Sequence, residues 1–272
     1  GKLDESQAYQ QRAYTYAQMT GQDSDLTGTM MQLGMVAFER GHIAQALGYY
    51  ERLLQINQRR AFVHFQIADM RNIAQVYLYL RNYGQALTTL DNAYDMQQSI
   101  GTEDMLLQAY LGLCLLHTGR EDEGMPLLND AVRQGEYDTY HTCLLDLVYL
   151  EALCLTGQYE RCRERALAFV AQVESTNKLL FARGLLQLAR VDSALGGNDA
   201  FDLLSKALSL EIEYGGREVW VMYEAMAACI QHEPTDSPTL QAQVQNCLTE
   251  AAKRLRNIGS NLHTYPDLQA AF

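Results

Sequence analysis

Residues 74–93 read AQVYLYLRNYGQALTTLDNA, and this stretch decides the fold. Ala86, Leu90 and Ala93 follow one another at +4 and +7, so a small, a large and a small residue share one stripe of an α-helix. Small residues on that stripe let the backbone of a neighbouring helix approach closely. Ala74 lies on the preceding helix and Arg81 stands at the turn between the two. The stretch therefore predicts a helix A, a tight turn and a helix B.

The same pattern recurs along the chain at intervals of 38 to 40 residues. The other helix B copies are Ala46/Tyr50/Leu53, Gly124/Leu128/Ala131, Cys162/Ala166/Phe169 and Ala200/Leu204/Ala207. The turn position holds Gly41, Arg81, Gly119, Gly157 and Gly196, and the helix A position holds Gly34, Ala74, Gly112, Leu150 and Ala189. Glycine at the turn supplies the left-handed backbone that ends helix A. Because one helix pair cannot bury its own apolar stripe, the fixed period predicts a solenoid of stacked pairs.

The repeat count gives the predicted domain organisation. Residues 1–24 are predicted to be one helix of a partial repeat, and residues 25–217 five full repeats. Residues 218–272 are predicted to form a degraded sixth repeat, with the loop His232–Pro238 between its helices, and a short cap that begins at Pro266. With four prolines in 272 residues and little that indicates a strand, the predicted class is all-α.

The third repeat has two residues that disfavour a helix. Pro126 lies four residues into the predicted helix B, so that helix is expected to begin near Asp122 or Glu123. Gly124 is expected to cost about 0.5–1 kcal/mol of backbone entropy against alanine. These residues predict that the third repeat is the loosest one.

The second and fourth repeats resemble the tetratricopeptide repeat (TPR), whose signature is a small residue, an aromatic, a glycine or polar turn, an aromatic and an alanine. The matching residues are Ala74, Val76, Tyr77, Leu80, Asn82, Tyr83, Ala86, Leu90 and Ala93, and Leu153, Gly157, Tyr159 and Cys162. The period exceeds the 34-residue TPR unit. In this it is similar to the TPR regions of bacterial maltose-activator-like regulators and TPR-tailed nucleotide cyclases. The resemblance implies a right-handed α-α superhelix of about five to six helix pairs, with helices A along its concave face.

Composition and motifs exclude several functions. The formal charge of 21 minus 33, or −12, argues against a nucleic-acid surface. No uncharged apolar run reaches the roughly 18 residues that a membrane span needs. The six cysteines form no C-x-x-C pair and are predicted to be small core residues of a cytoplasmic protein. No phosphate-loop, metalloprotease or hydrolase motif is present, so no catalysis, metal or cofactor is predicted.

The predicted function is therefore binding through the concave face. The candidate binding residues on helices A are Arg71, Asn72, Gln75, Tyr79, Tyr110, His117, Glu151, Arg183 and Arg190. Arg71, Asn72 and Gln75 resemble in type a clamp for a peptide carboxylate, although Ala109 and Leu113 stand where that clamp needs further cations. The resemblance implies a non-catalytic module that binds a peptide or protein segment, including another domain of its own parent, within a larger bacterial signalling or regulatory protein. The alternative is a small-molecule sensor, for example for a sugar, of a transcription regulator.

Overall fold

A computed structural model describes residues 2–20, 23–134, 139–231 and 238–271, and the regular structure in these ranges is entirely α-helical. The predicted all-α class is confirmed. Most of the predicted loop His232–Pro238 lies outside the described residues. The helices of the described ranges are α1 (Lys2–Thr20), α2 (Asp23–Glu39), α3 (Ile43–Arg59), α4 (Val63–Tyr79), α5 (Tyr83–Ile100), α6 (Met105–His117), α7 (Glu121–Gln134), α8 (Thr139–Leu155), α9 (Tyr159–Val173), α10 (Lys178–Ala194), α11 (Ala200–Tyr214), α12 (Val219–Gln231), α13 (Pro238–Asn261) and α14 (Pro266–Ala271).

The repeat pattern marks the interior of the helix pairs. All fifteen positions of the helix B pattern are buried, and so are the five helix A positions. At the middle position of the pattern, the large residues Tyr50, Leu90, Leu128 and Leu204 are at most 1% exposed. Burying a leucine side chain contributes about 1.5–3 kcal/mol. The pairing of helices that the spacing predicts therefore buries side chains that stabilise each repeat.

The five turns between helices A and B all contain a left-handed residue at the predicted position. The φ angles are 72° at Gly41, 56° at Arg81, 80° at Gly119, 68° at Gly157 and 73° at Gly196. The amide of each left-handed residue and that of the next residue bond back to the end of helix A; in the first repeat, Gly41 N donates to Phe38 O and His42 N to Ala37 O. The prediction is confirmed even where arginine replaces glycine.

Three of the described turns between repeats, at Ala61, Gly101 and Gly215, also contain a left-handed residue, and at Ala61 that residue is not glycine. Ala61 has φ 55°, whereas Gly101, 40 residues later at the same place in the next repeat, has φ 66°. An alanine in the left-handed region costs the folded chain about 1–2 kcal/mol relative to glycine. Because glycine has more conformational freedom in the unfolded chain, replacing alanine by glycine regains this energy less about 0.4–1 kcal/mol.

We therefore expect Ala61→Gly to raise the free energy of unfolding by about 0.5–1 kcal/mol. Gly101→Ala is the reciprocal control and should lower it by a similar amount, because no atom lies within 4 Å of the added Cβ and only the backbone term changes. Urea unfolding of both variants measures the two changes. A loss of stability in Ala61→Gly would contradict this account of the turn.

The third repeat shows how a glycine of the pattern packs between two helices. Helix α7 begins at Glu121, next to the predicted start, and Pro126 lies exposed on its surface. A Cβ added to Gly124 would come 2.6 Å from the carbonyl oxygen of Gly112 on α6. Gly124 is therefore a small packing residue, as the pattern predicts, because its missing side chain is what lets α6 and α7 touch. That the third repeat is the loosest one stays a prediction.

The helices group into two compact units. The first comprises residues 1–145 and 261–272, and the second comprises residues 146–260. Helix α14 begins at Pro266 as predicted, and its segment belongs to the first compact unit. Leu262 and Leu268 are the buried apolar residues of this segment, at 0% and 4% exposure.

Candidate partner-binding site

Three candidate residues, Arg71, Gln75 and Tyr79, lie along one stripe of α4, and we call them the α4 row. They are spaced four residues apart, so each stands about one helical turn from the next. All three side chains are half-buried, which leaves part of each at the surface of the first compact unit. Each contacts a side chain of a neighbouring helix A.

Arg71 is held by the start of α6. Its Nη1 donates to Oδ2 of Asp104 at 2.6 Å, and Oδ1 of Asp104 accepts from the backbone N–H of Leu107 at 3.0 Å as the N-cap. The two charged side chains are 13% and 20% exposed. Shielding makes this pair stronger than an exposed one, which contributes about 0–1 kcal/mol. Because Asp104 already pairs with Arg71, the structure offers no added support for a clamp that would bind a peptide carboxylate through Arg71.

Gln75 and Tyr79 are held by aromatic partners. Nε2 of Gln75 donates to the hydroxyl of Tyr110 at 2.6 Å, and Tyr110 itself is 5% exposed. The ring of Tyr79 packs edge-on against Phe38 of α2, with centroids 5.7 Å apart and planes at 86°. Side chains fixed in this way lose less rotamer entropy when a partner binds. The α4 row is therefore preorganised.

The other two candidates of the first compact unit face different neighbours. Nδ2 of Asn72 donates to Sδ of Met31 on α2 at 3.2 Å. The ring of His117 stacks on Tyr83 of α5, with centroids 4.4 Å apart and planes 13° apart. The structure thus brings Arg71, Gln75, Tyr79 and Tyr110 together and leaves Asn72 and His117 beside them.

The candidates of the second compact unit divide between two places. Glu151 and Arg190 are half-buried, and both act electrostatically on the thiol of Cys154. Arg183 is 6% exposed, and its Nε lies 3.4 Å from Oε1 of Glu211. Arg183 therefore belongs to the interior of the repeat stack, where it forms part of a buried charge cluster.

The buried charge cluster lies where α11 is followed by α12. It contains Arg183, Glu211, Arg217 and Glu218, with Nε of Arg217 3.1 Å from Oε1 of Glu218. Burial raises the pKa of Glu211 to about 7, although Arg183 and, more weakly, Arg217 act to lower it. Loss of hydration thus outweighs the attraction of the two cations, as is common for buried ion pairs.

Sequence reasoning missed two residues that hold the turns between repeats. Oε1 of Gln97 accepts from the backbone N–H of Asp104 at 3.1 Å, and Oε2 of Glu211 accepts from that of Glu218 at 3.1 Å. Both side chains are fully buried and both reach seven residues along the chain. Their separation, 211 minus 97 or 114, is three periods of 38. The same period could therefore have identified both residues in the sequence. Gln97 also fixes the backbone of Asp104, the residue that pairs with Arg71.

A cavity of about 360 Å³ opens on the second compact unit between α9, α10 and α11. Its lining combines three acidic, two basic and three leucine side chains: Arg163, Leu167, Leu188, Asp192, Asp199, Asp202, Leu203 and Lys206. One acid is already engaged, since Oδ2 of Asp192 accepts from the backbone N–H of Asp199 at 2.8 Å. No aromatic side chain lines this cavity.

The C-terminal segment contacts α3 within the first compact unit. The hydroxyl of Tyr265 donates to Oε2 of Glu51 at 2.9 Å and lies beside Gly48, where a Cβ would come 3.7 Å from it. Burial and the negative charge of Glu51 both raise the pKa of Tyr265, so the phenol stays protonated. This contact spans 214 residues of sequence.

The described ranges contain neither a metal-binding cluster nor a membrane-spanning helix. Among the residues that the structure describes, no three His, Cys, Asp or Glu side chains lie close enough together to hold a metal ion. In the same ranges, no helix combines the length and the apolar character that crossing a bilayer requires.

Comparison with known proteins gave a family match and several solved structures with a similar fold. Residues 71–139 match the family model described as Tetratricopeptide repeat. No curated protein sequence matches the chain significantly. The crystal structure of BtubC (BKLC) from P. vanneervenii superposes with a TM-score of 0.51 at 14% identity, covering 87% of this chain and 96% of that one. At this identity the likeness concerns the fold alone.

Proposed function

Because residues 71–139 match the Tetratricopeptide repeat family, we propose that this chain is a non-catalytic module of that family that binds a peptide or protein segment along its helices A. Tetratricopeptide repeats generally mediate protein–protein interactions and act as scaffolds rather than catalysts. The α4 row, Arg71, Gln75 and Tyr79, is the binding surface that we assign to this chain.

The observation that carries the proposal is the fixed geometry of the α4 row. Tyrosine and arginine are enriched among residues that dominate binding energy, because they combine a large contact area with polar tips. Here both types stand on one stripe, are partly exposed, and are bonded to Asp104 or packed on Phe38. Binding to such a surface costs little side-chain entropy.

The negative charge of the chain favours partners of particular charge. A formal charge of −12 favours a basic or neutral segment, because complementary charge speeds encounter and like charge opposes it. We place the module in the cytoplasm, within a larger bacterial signalling or regulatory protein, where the segment can come from another protein or from another domain of the parent. The alternative of a small-molecule sensor has less support, since the cavity between α9, α10 and α11 has no aromatic side chain to stack on a sugar.

Tyr79→Ala should weaken binding of a selected peptide at least tenfold, which is about 1.4 kcal/mol. Peptides enriched by phage display against the wild-type chain supply the ligands, and fluorescence anisotropy measures their dissociation constants. The matched control is Tyr9→Ala on α1, because Tyr9 is 71% exposed and lies outside the α4 row. The control should leave affinity unchanged.

Gln75→Ala is a second variant of the row that removes one hydrogen bond and no aromatic packing. It should weaken the same peptides several-fold, while circular dichroism shows the helix content unchanged. Failure to enrich any peptide, or equal affinities for wild type, Tyr79→Ala and Gln75→Ala, would refute binding at the α4 row.

A further inference from the structure

Two cysteine side chains meet at the turn of the fourth repeat, in the second compact unit. Sγ of Cys154, near the end of α8, lies 3.2 Å from Sγ of Cys162, near the start of α9. Cys162 is fully buried at the first position of the helix B pattern, whereas Cys154 is half-buried. Cys154 is therefore the more exposed residue of the pair, and the Cys162 sulfur lies in contact with its sulfur.

The surroundings of Cys154 favour its thiolate. The hydrogen bond from the Cys162 thiol lowers the pKa of Cys154, burial acts against this, and the positive charge of Arg190 lowers it again. The negative charge of Glu151 raises the pKa of Cys154 and is the weakest of these four influences. The single S–H of Cys162 lies within reach of Sγ of Cys154 at 3.2 Å and of the backbone oxygen of Leu150 at 3.3 Å. The same bond and burial raise the pKa of Cys162.

From this geometry we propose that Cys154 and Cys162 form a reversible redox site that a hydroperoxide converts to a disulfide. An accessible, stabilised thiolate next to a second thiol is the arrangement found in redox-sensing cysteine pairs. Such disulfides occur transiently in reducing compartments. The proposal is independent of peptide binding at the α4 row.

The chemistry proceeds in two balanced steps. The Cys154 thiolate attacks one peroxide oxygen: an S–O bond forms, the O–O bond breaks, and the leaving oxygen takes up a proton to give water or an alcohol. This oxidises the sulfur to a sulfenic acid and reduces the peroxide. The Cys162 sulfur then attacks the Cys154 sulfur, so an S–S bond forms, the S–O bond breaks, and hydroxide leaves with the Cys162 proton as water. A reducing dithiol restores both thiols by exchange.

Peroxide treatment of the folded chain, followed by alkylation, trypsin digestion and mass spectrometry, tests the proposal. Trypsin cleaves after Arg161 and so places the two cysteines on different peptides. We expect hydrogen peroxide to join these peptides with the loss of two hydrogen atoms, and dithiothreitol to separate them. If Cys154 is oxidised but no joined peptide appears, the proposal is wrong.

Two comparisons complete the test. In Cys162→Ala, which installs the residue found at this position in three other repeats (Ala46, Ala86 and Ala200), the sulfenic acid of Cys154 should persist and react with dimedone. Cys229 is the matched thiol, since it is also half-buried but burial raises its pKa. Cys154 should be alkylated by iodoacetamide at neutral pH at least tenfold faster than Cys229. Equal rates would overturn the assignment of Cys154 as the reactive thiol.

Discussion

Replacing Gly124 by alanine is expected to lower the free energy of unfolding by about 2–3 kcal/mol, although alanine is the better helix former. The added Cβ would lie 2.6 Å from the carbonyl oxygen of Gly112 and 3.2 Å from Cβ of Leu115. Neither a backbone oxygen nor a Cβ atom can rotate away, so α6 and α7 must separate. Urea unfolding gives the overall loss, and hydrogen exchange should show weaker protection of the α6 and α7 amides.

The reciprocal variant and a control make this prediction specific. A Cβ on Gly112 would lie 2.8 Å from the carbonyl oxygen of Gly124 and from Cγ of Leu128, so Gly112→Ala should cost a similar amount. The double variant should cost less than the sum, because the first alanine already separates the helices. Gly28→Ala on α2 meets no atom within 4 Å and should stabilise the chain by about 0.5–1 kcal/mol. Additive losses, or a Gly124→Ala chain as stable as wild type, would contradict the close approach of the helices.

Asp69→Asn is expected to stabilise the chain by about 2–4 kcal/mol at pH 8 and to change its stability little at pH 4, close to the unfolded pKa of 3.8. Asp69 is 1% exposed on α4, and its Oδ2 accepts a hydrogen bond of 2.6 Å from Nδ2 of Asn57. Burial raises the pKa of Asp69 to about 7, while the bond from Asn57 and the charge of Arg71 lower it less. An asparagine can accept the same bond without carrying a charge.

The sign of this effect follows from proton binding. Between the unfolded pKa of 3.8 and the folded value of about 7, the folded chain holds more protons than the unfolded chain. The free energy of unfolding therefore falls as pH rises through this window and is lowest above it. Thermal unfolding of both chains from pH 4 to pH 8 measures the difference. Asp95→Asn is the control, since Asp95 is exposed on α5. A variant that loses stability at pH 8 would refute the assignment.

The sequence predicted those parts of the fold that repeat. Positions such as Ala86 and Leu90 recur every 38 to 40 residues. The packing inferred for one helix pair therefore applies to each of the others. The period even assigned Arg81 to a left-handed turn that its residue type disfavours. The family resemblance correctly indicated the class, because class depends on the same pattern.

Other features could not be predicted because they depend on geometry that the pattern does not encode. The contact of Cys154 with Cys162 depends on how far α8 and α9 rotate about their turn. The pattern predicted Gly124 and Gly112 as small packing residues, but that each lies against the backbone of the other depends on the distance between the two helix axes. The α4 row was selected by counting along α4, but its bonds to Asp104 and Tyr110 come from side-chain rotamers that spacing leaves undetermined.

The contact between Tyr265 and Glu51 can form only late in synthesis of the chain. Ribosomes add about 5–20 residues per second, so the 214 residues between the two partners take roughly 10–40 s to synthesise. During that time α3 has emerged while the tail that covers its Glu51 region does not yet exist. The nascent chain thus presents this surface to cellular chaperones for much longer than helix formation itself requires.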